Sequence, residues 1–136
     1  MGLLANFNIS GSAISAQSLR LNATASNLAN VQTLAASESE AYRARQPVFQ
    51  ALLTDSDRPA EVGVQMLGIA ESSKTVERRY DPGHSLADAN GFVYASNVNP
   101  VEEMANMLSA SRAYQNNVEV LNTSRDLLLR VLTLGN

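Results

Sequence analysis

The residues that could do chemistry are few and lie in the middle of the chain. The only histidine is His84 and there is no cysteine, so a thiolate or multi-histidine metal site is excluded. Residues 88–91 (Asp-Ala-Asn-Gly) resemble a fragment of a calcium loop but lack the remaining ligands, so a turn is the better interpretation. Nucleophile-elbow spacing, a glycine-rich phosphate loop and paired carboxylates in an apolar setting are also missing from the sequence. We therefore predict no enzymatic activity, no cofactor, no metal and no small-molecule substrate.

Composition narrows the class of protein further. The chain has 136 residues, which is one domain's worth of polypeptide. Its net charge of −3 gives no electrostatic basis for binding nucleic acid. No stretch approaches the roughly 20 apolar residues of a membrane span. The N-terminus lacks the basic region and the unbroken apolar run of a cleavable secretory signal. If the protein leaves the cytoplasm, we expect a dedicated machine to export it without cleavage.

Residues 1–36 are predicted to form an N-terminal helix. Phe7, Ile14, Leu21 and Leu28 recur every seven positions, and a second set of mostly small residues lies three or four positions away, at Leu4, Gly11, Ser18 and Ala25. The two sets make one narrow stripe that would let another helix approach closely. The rest of this segment is serine, asparagine, threonine and alanine, and its only charge is Arg20. An exposed helix would carry more charge, so we expect this one to be enclosed on more than one side.

Residues 37–98 are predicted to form a small β-rich insert, with an irregular β region at residues 42–96. Val62, Val64 and Met66 alternate as one face of a strand. The Tyr80-Asp-Pro-Gly-His84 segment is a turn signal, and Asn90-Gly91 is a hairpin-type dipeptide. Such an insert buries too little surface to be firmly stable by itself.

Residues 99–136 are predicted to form a C-terminal helix. Asn99 can cap it, Pro100 suits its first position, and Gly135 terminates it. Its apolar stripe has a period near 3.5 and runs through Met104, Met107 or Leu108, Ser111, Tyr114, Val118, Leu121, Leu128 and Leu132.

The fold class is therefore mainly α, with two long terminal helices paired as an antiparallel coiled-coil-like unit that brackets an irregular β insert. Two helices cannot cover all of their own apolar and uncharged faces, so other chains are expected to do so. The expected assembly interface comprises Leu4, Phe7, Ile14, Leu21, Asn27, Leu28, Asn30, Met104, Leu108, Arg112, Tyr114, Gln115, Asn116, Val118, Leu121, Leu128 and Leu132. Several of the amides are expected to form hydrogen bonds between subunits, from the set Asn27, Asn30, Gln115, Asn116 and Asn117. Arg20 and Arg112 have two interpretations, which are solubilisation of the surface and an intersubunit pair with Glu38, Glu102 or Glu119.

Both ends of the sequence resemble a known family. Residues 18–33 (SLRLNATASNLANVQT) and 109–123 (SASRAYQNNVEVLNT) are similar to the paired terminal signatures of bacterial flagellar axial proteins. Residues 87–93 (ADANGFV) and 97–104 (NVNPVEEM) are similar to motifs in one member of that family, a protein of the proximal rod.

The resemblance implies a structural subunit of the flagellar basal-body rod in the periplasm. It implies terminal helices stacked helically with copies of itself and other rod proteins, export by the flagellar type III apparatus, and transmission of torque. Two alternatives remain: another rod or hook-adjacent component, and a secretion chaperone or adaptor that binds partner helices. A monomeric α+β domain that buries the N-terminal stripe is a third and weaker interpretation of the pattern.

Overall fold

The computed structural model describes residues 3–53 and 62–134. The elements in chain order are the helix α1 (Leu3–Ala29), the strands β1 (Leu34–Ala35), β2 (Arg45–Leu53), β3 (Val62–Glu71), β4 (Glu77–Tyr80) and β5 (Phe92–Ala95), and the helix α2 (Pro100–Leu134). Two long terminal helices thus flank a small β region, which confirms the coarse architecture predicted from the sequence. Within the described residues, no helix is both long and apolar enough to cross a membrane.

Side chains close in sequence cap the C-terminal end of α1 and the N-terminal end of α2. At the end of α1, Asn30 Nδ2 donates to the Ser26 carbonyl at 2.8 Å, and the Thr33 hydroxyl donates to the Asn30 carbonyl at 2.7 Å. At the start of α2, Asn99 Oδ1 accepts from the backbone N–H groups of Val101 and Glu102 at 3.1 and 3.4 Å. These contacts satisfy helix-end groups that have no partner within the helix. The predicted Asn99 cap is confirmed, while Gly135 lies outside the described residues.

The strands form two small sheets. One has the order β1-β5-β4 and the other pairs β2 with β3. In the first sheet both pairings are antiparallel, and Tyr94 lies opposite Ala35 on one side and Arg78 on the other. The predicted β region is therefore present. The two-residue strand β1 lies before the predicted limits of 42–96. The sequence did not indicate this strand because two residues are too few to show an alternating pattern.

The connection from β4 to β5 is a turn held by one aspartate. Asp88 Oδ1 accepts from the backbone N–H groups of Asn90 and Phe92 at 2.8 and 2.9 Å. Gly91 has a φ of 81°, a conformation that glycine adopts without strain. These bonds confirm that residues 88–91 form a turn, although the connection is longer than the two-residue hairpin that Asn-Gly favours.

The chain divides into two compact units. The first comprises Met1–Leu21, Pro47–Gly68 and Leu108–Asn136, and the second comprises Asn22–Gln46 and Ile69–Met107. In the described parts of the chain, the buried apolar side chains are alanines and valines: Ala16, Ala41, Ala44, Val93, Ala95, Val98 and Ala110. The leucines, isoleucines, methionines and aromatic residues described there all retain some exposed surface. The chain therefore folds around small side chains and leaves its large apolar groups near the surface.

Candidate assembly surface

The best-defined polar site is the set of hydrogen bonds around Asn27, in the second unit. This side chain is 1% exposed and lies near the end of α1, whose last turn has no basic residue. Its Nδ2 donates to the Arg45 carbonyl at 2.9 Å and to Glu103 Oε2 at 3.1 Å. Its Oδ1 accepts from the Tyr42 hydroxyl at 3.0 Å and from the Arg45 N–H at 2.9 Å. One amide thus joins α1, the chain leading into β2, and the first turn of α2.

These four bonds use the full capacity of an amide group, which has two donors and two acceptor sites. The Asn27 side chain therefore has nothing left to offer a neighbouring subunit while this network is intact. An intersubunit hydrogen bond from Asn27, as predicted, would have to replace one of these intramolecular bonds. Asn30 also bonds within its own helix, to the Ser26 carbonyl.

Two more side chains tie the second unit together around this network. Asn97 Oδ1 accepts from the Ala44 N–H at 2.7 Å, and its Nδ2 donates to the Lys74 carbonyl at 2.7 Å. The Ser96 hydroxyl is buried and donates to the Val31 carbonyl at 2.7 Å, just beyond the end of α1. Backbone segments distant in sequence are thereby held by amide and hydroxyl groups, which explains how this unit forms without large buried side chains.

The predicted interface residues of α2 lie mostly on the surface. Met104 is 62% exposed, Leu108 54% and Leu132 59%. Arg112, Tyr114, Gln115 and Asn116 are also exposed, whereas Val118, Leu121 and Leu128 are half-buried. These side chains are therefore placed where another molecule can contact them, and their role as an interface stays a prediction.

The predicted residues of α1 are less exposed. Phe7, Ile14, Leu21, Leu28 and Asn30 are all half-buried, and the side chain of Leu4 lies outside the described part of the structure. Buried positions in this helix are small or polar, at Ser10, Ala16, Thr24 and Asn27. The large members of the stripe thus keep part of their apolar surface available for further contacts.

Several exposed apolar residues were not among the predicted interface residues. In the last two turns of α2 these are Leu127, Leu129, Val131 and Leu134, with Leu134 86% exposed. In β3, Leu67 and Ile69 lie two residues apart on one face and are 62% and 59% exposed. The interface predicted from heptad spacing did not include either group. The signal that identifies them is the density of large apolar residues in residues 127–134 and the slipped alternation at Leu67 and Ile69.

The charged residues near α2 are partly paired within the chain. Lys74 Nζ lies 3.3 Å from Glu102 Oε2, and Arg43 lies 3.7 Å from Glu38. Two of the three acidic partners predicted for Arg112 thus already have a cation beside them. The Arg112 side chain itself is exposed.

The remaining chemical candidates have structural roles. Hydrogen bonds to Asp88, above all from the Phe92 N–H, lower the pKa of its carboxyl group. His84 Nδ1 accepts from the Leu86 N–H at 3.1 Å within the same turn. No group of acidic or histidine side chains among the described residues is arranged to hold a metal ion.

Comparison with known proteins identifies the class. Residues 7–33 match the family described as flagella basal body rod protein, and residues 89–134 match the family described as flagellar basal body rod FlgEFG protein C-terminal. Both descriptions name flagellar basal-body rod proteins, and the two matches cover most of α1 and all of α2. They correspond to the two ends whose motifs resemble the flagellar axial family.

Full-length relatives define the family more narrowly. The chain is 48% identical over 135 residues to the flagellar basal-body rod protein FlgC of Salmonella typhimurium strain LT2, covering 99% of both proteins. It is 48% identical to that of Escherichia coli O157:H7 and 46% identical to that of Yersinia enterocolitica, with the same coverage. The chain belongs to the FlgC family of flagellar basal-body rod proteins. It is a structural rod subunit and not an enzyme, which the sequence predicted.

Proposed function

We propose that the exposed apolar surface of the terminal helices is completed by other rod subunits, and that the resulting assembly transmits torque. The observation that carries this proposal is the end of α2. Residues 127–134 (LLLRVLTL) contain one charge, and Leu127, Leu129, Val131, Leu132 and Leu134 are each about half exposed or more. At 100° per residue, these side chains cover about 220° of the helix circumference, and Thr133 and Arg130 occupy the remaining sector. An apolar surface this wide is more than one partner helix covers, so it is typically enclosed by several protein surfaces.

Burial of this surface would contribute a substantial part of the free energy of assembly. Burying a leucine or valine side chain completely stabilises by about 1.5–3 kcal/mol, so a half-exposed one has roughly 1 kcal/mol left to gain. Five such residues offer on the order of 5 kcal/mol for each subunit before the cost of association. Many modest contacts of this kind, repeated along a rod, would make it stiff without any single strong bond.

The antiparallel pairing of the helices is part of the same proposal. The Asn27–Glu103 hydrogen bond joins the last turns of α1 to the first turn of α2. Helices that run in opposite directions bring these two ends together. The pair would form the inner-tube unit of the rod, with the apolar stripes of Phe7, Ile14 and Leu21 shared between this partner and neighbouring subunits.

We also propose that the subunit is exported by the flagellar type III apparatus without cleavage, acts in the periplasm, and orders its helix ends as it joins the rod. Segments that cannot bury their apolar surface alone commonly fold on binding. Mass spectrometry of the subunit recovered from purified basal bodies tests the export step. We expect peptides that retain residues of the first turns of α1, and a truncated α1 would contradict uncleaved export.

Deletion of the gene in its native bacterium tests the central function. We expect non-motile cells whose isolated basal bodies lack a complete rod, with recovery on expression of the unaltered chain. Motile cells with normal rods after deletion would overturn the proposal. A secretion chaperone, in contrast, would remain in the cytoplasm and be missing from purified basal bodies.

A further inference from the structure

We propose that Asn90 is a latent deamidation site, and that the turn held by Asp88 preserves its side-chain amide. Deamidation converts an asparagine into aspartate or isoaspartate without an enzyme. It is fastest where glycine follows asparagine, because glycine has no Cβ to hinder its backbone nitrogen. Asn90 is the only asparagine in the chain that glycine follows. The site lies within the second unit and is independent of how the subunit assembles.

The reaction uses atoms of Asn90 and Gly91 and a water molecule from the solvent. The backbone nitrogen of Gly91 gives up its proton and bonds to Cγ of Asn90. The bond from Cγ to Nδ2 breaks, and the amide leaves as ammonia with that proton, so that a five-membered succinimide ring remains. Water then opens the ring at Cγ to give aspartate, or at the backbone carbonyl carbon to give isoaspartate.

The side chain of Asn90 is available for this reaction. It is exposed, so water reaches it. Among the residues that the structure describes, none holds this side-chain amide in a hydrogen bond. The side chain and the water are therefore both at hand, and only the backbone nitrogen of Gly91 is restricted.

The fold itself requires the glycine that makes Asn90 reactive. Gly91 has a φ of 81°, which other residues adopt only with strain. A Cβ at this position would lie 3.0 Å from Tyr80 Cε2 and 3.1 Å from Pro82 Cβ. The connection between β4 and β5 thus needs glycine at residue 91 for both its backbone conformation and its close contacts.

Four hydrogen bonds around Asp88 hold the attacking nitrogen in place. The Gly91 N–H donates to the Asp88 carbonyl at 2.9 Å, and the Asp88 N–H donates to the Phe92 carbonyl at 2.8 Å. The N–H groups of Asn90 and Phe92 both donate to Asp88 Oδ1, at 2.8 and 2.9 Å. The nitrogen that must attack is therefore engaged, and the backbone on each side of it is fixed. Deamidation requires this turn to open first, so its rate follows the fraction of molecules in which the turn is open.

Conversion would also prevent the turn from closing again. Isoaspartate inserts a methylene group into the backbone between residue 90 and the nitrogen of Gly91. The N–H groups of Gly91 and Phe92 would then no longer meet the carbonyl and the carboxylate of Asp88 together. A single opening that leads to reaction is therefore permanent, whereas an opening that closes in time leaves the amide unchanged.

Peptide mapping of the purified full chain tests this site. The unaltered chain is incubated at mildly alkaline pH, folded in buffer and unfolded in guanidinium chloride, and tandem mass spectrometry follows conversion at residue 90. We expect conversion to be at least about tenfold faster in the unfolded chain, because the turn is then open in every molecule. Asn90 should convert before any other asparagine of the unfolded chain.

The Asp88→Ala variant tests the role of the turn in the folded chain. It removes both hydrogen bonds to Oδ1 and should raise the rate constant for conversion about tenfold, since two bonds to a carboxylate stabilise the closed turn by at least that factor. The matched control is Asp81→Ala. It removes a carboxylate from the same connection but none of the four hydrogen bonds around Asp88, and should convert at the rate of the unaltered chain.

Three results would overturn the proposed site. They are equal conversion of the folded and unfolded unaltered chain, an Asp88→Ala chain that converts no faster than the Asp81→Ala control, and faster conversion of another asparagine in the unfolded chain. If Asp88→Ala chains do not fold, the two states of the unaltered chain still decide the outcome. All of these results would leave the proposed rod function untouched.

Discussion

Replacing Asn27 by alanine should destabilise the free chain severely, and the structure indicates by how much. The substitution removes four hydrogen bonds, with lengths between 2.9 and 3.1 Å, from a side chain that is 1% exposed. The Tyr42 hydroxyl keeps a second contact, to Ser26 Oγ at 3.2 Å, but both backbone groups of Arg45 lose their amide partner. Each buried group left unsatisfied costs about 1–3 kcal/mol, and more if it is charged like Glu103.

Together these losses predict a fall of about 3–5 kcal/mol in the free energy of unfolding. Such a loss is a large part of the roughly 5–15 kcal/mol that stabilises a typical domain. Urea denaturation of the full chain, followed by circular dichroism at a concentration where it is monomeric, measures the change. The matched control is Asn30→Ala, which removes one local bond from a half-buried side chain and should cost about 0.5–1 kcal/mol. If Asn27→Ala were as stable as this control, the network would not be what holds the second unit together.

Three further substitutions test other parts of the structure. Leu132→Asp should change the free energy of unfolding by less than about 0.5 kcal/mol, because the side chain is already 59% exposed. The same substitution should abolish motility and entry of the subunit into the rod. Motile cells would contradict this prediction. Gly91→Ala should lower the free energy of unfolding by about 1–2 kcal/mol, because φ is 81° and the new Cβ would lie 3.0 Å from Tyr80 Cε2. Urea denaturation measures this change, and an unchanged urea midpoint would contradict the expected backbone strain at this position. The folded-state pKa of Asp88 is lowered, so its stabilising contribution is complete above the ordinary value of 3.8 and disappears as the pH falls through the lower folded value. On acidification below pH 3.8, the Asp88→Ala variant should therefore lose less free energy of unfolding than the unaltered chain. If stability depended on pH in the same way in both proteins, the Asp88 carboxylate would not be what stabilises this turn.

The sequence was most informative where structure depends on neighbouring residues. The start of α2 follows from Asn99 and Pro100 alone, because capping involves groups within one turn. The turn at Asp88 also depends on residues up to Phe92 only. The family resemblance came from contiguous motifs, and the comparisons bear it out at both ends.

The Asn27 network could not be predicted because its partners are far apart in the sequence. Arg45 lies 18 residues from Asn27, and Glu103 lies 76 residues from it. Helical spacing placed Asn27 on a surface that neighbouring subunits were expected to contact. It does not reveal that residues 42–45 fold back and take three of the four hydrogen bonds, while Glu103 takes the fourth. Likewise β1 is too short to carry any pattern, and it exists only because Leu34 and Ala35 pair with β5.

The exposure of Leu127, Leu129 and Leu134 shows the limit of a heptad pattern. That pattern selects one face of a helix, and it drew attention to Leu128 and Leu132. It does not describe a helix end whose large apolar residues cover most of the circumference, because such an end has no single buried face. We propose that its environment is set by the assembly and not by the chain alone.

Amide hydrogen exchange of residues 127–134, in the purified chain and in intact basal bodies, tests the central claim most directly. Protection reports how often these amides open to solvent. The proposed role of neighbouring subunits predicts rapid exchange in the free chain and strong protection in the rod. Equal protection in both would show that this end of α2 is complete without neighbours, and would contradict the account.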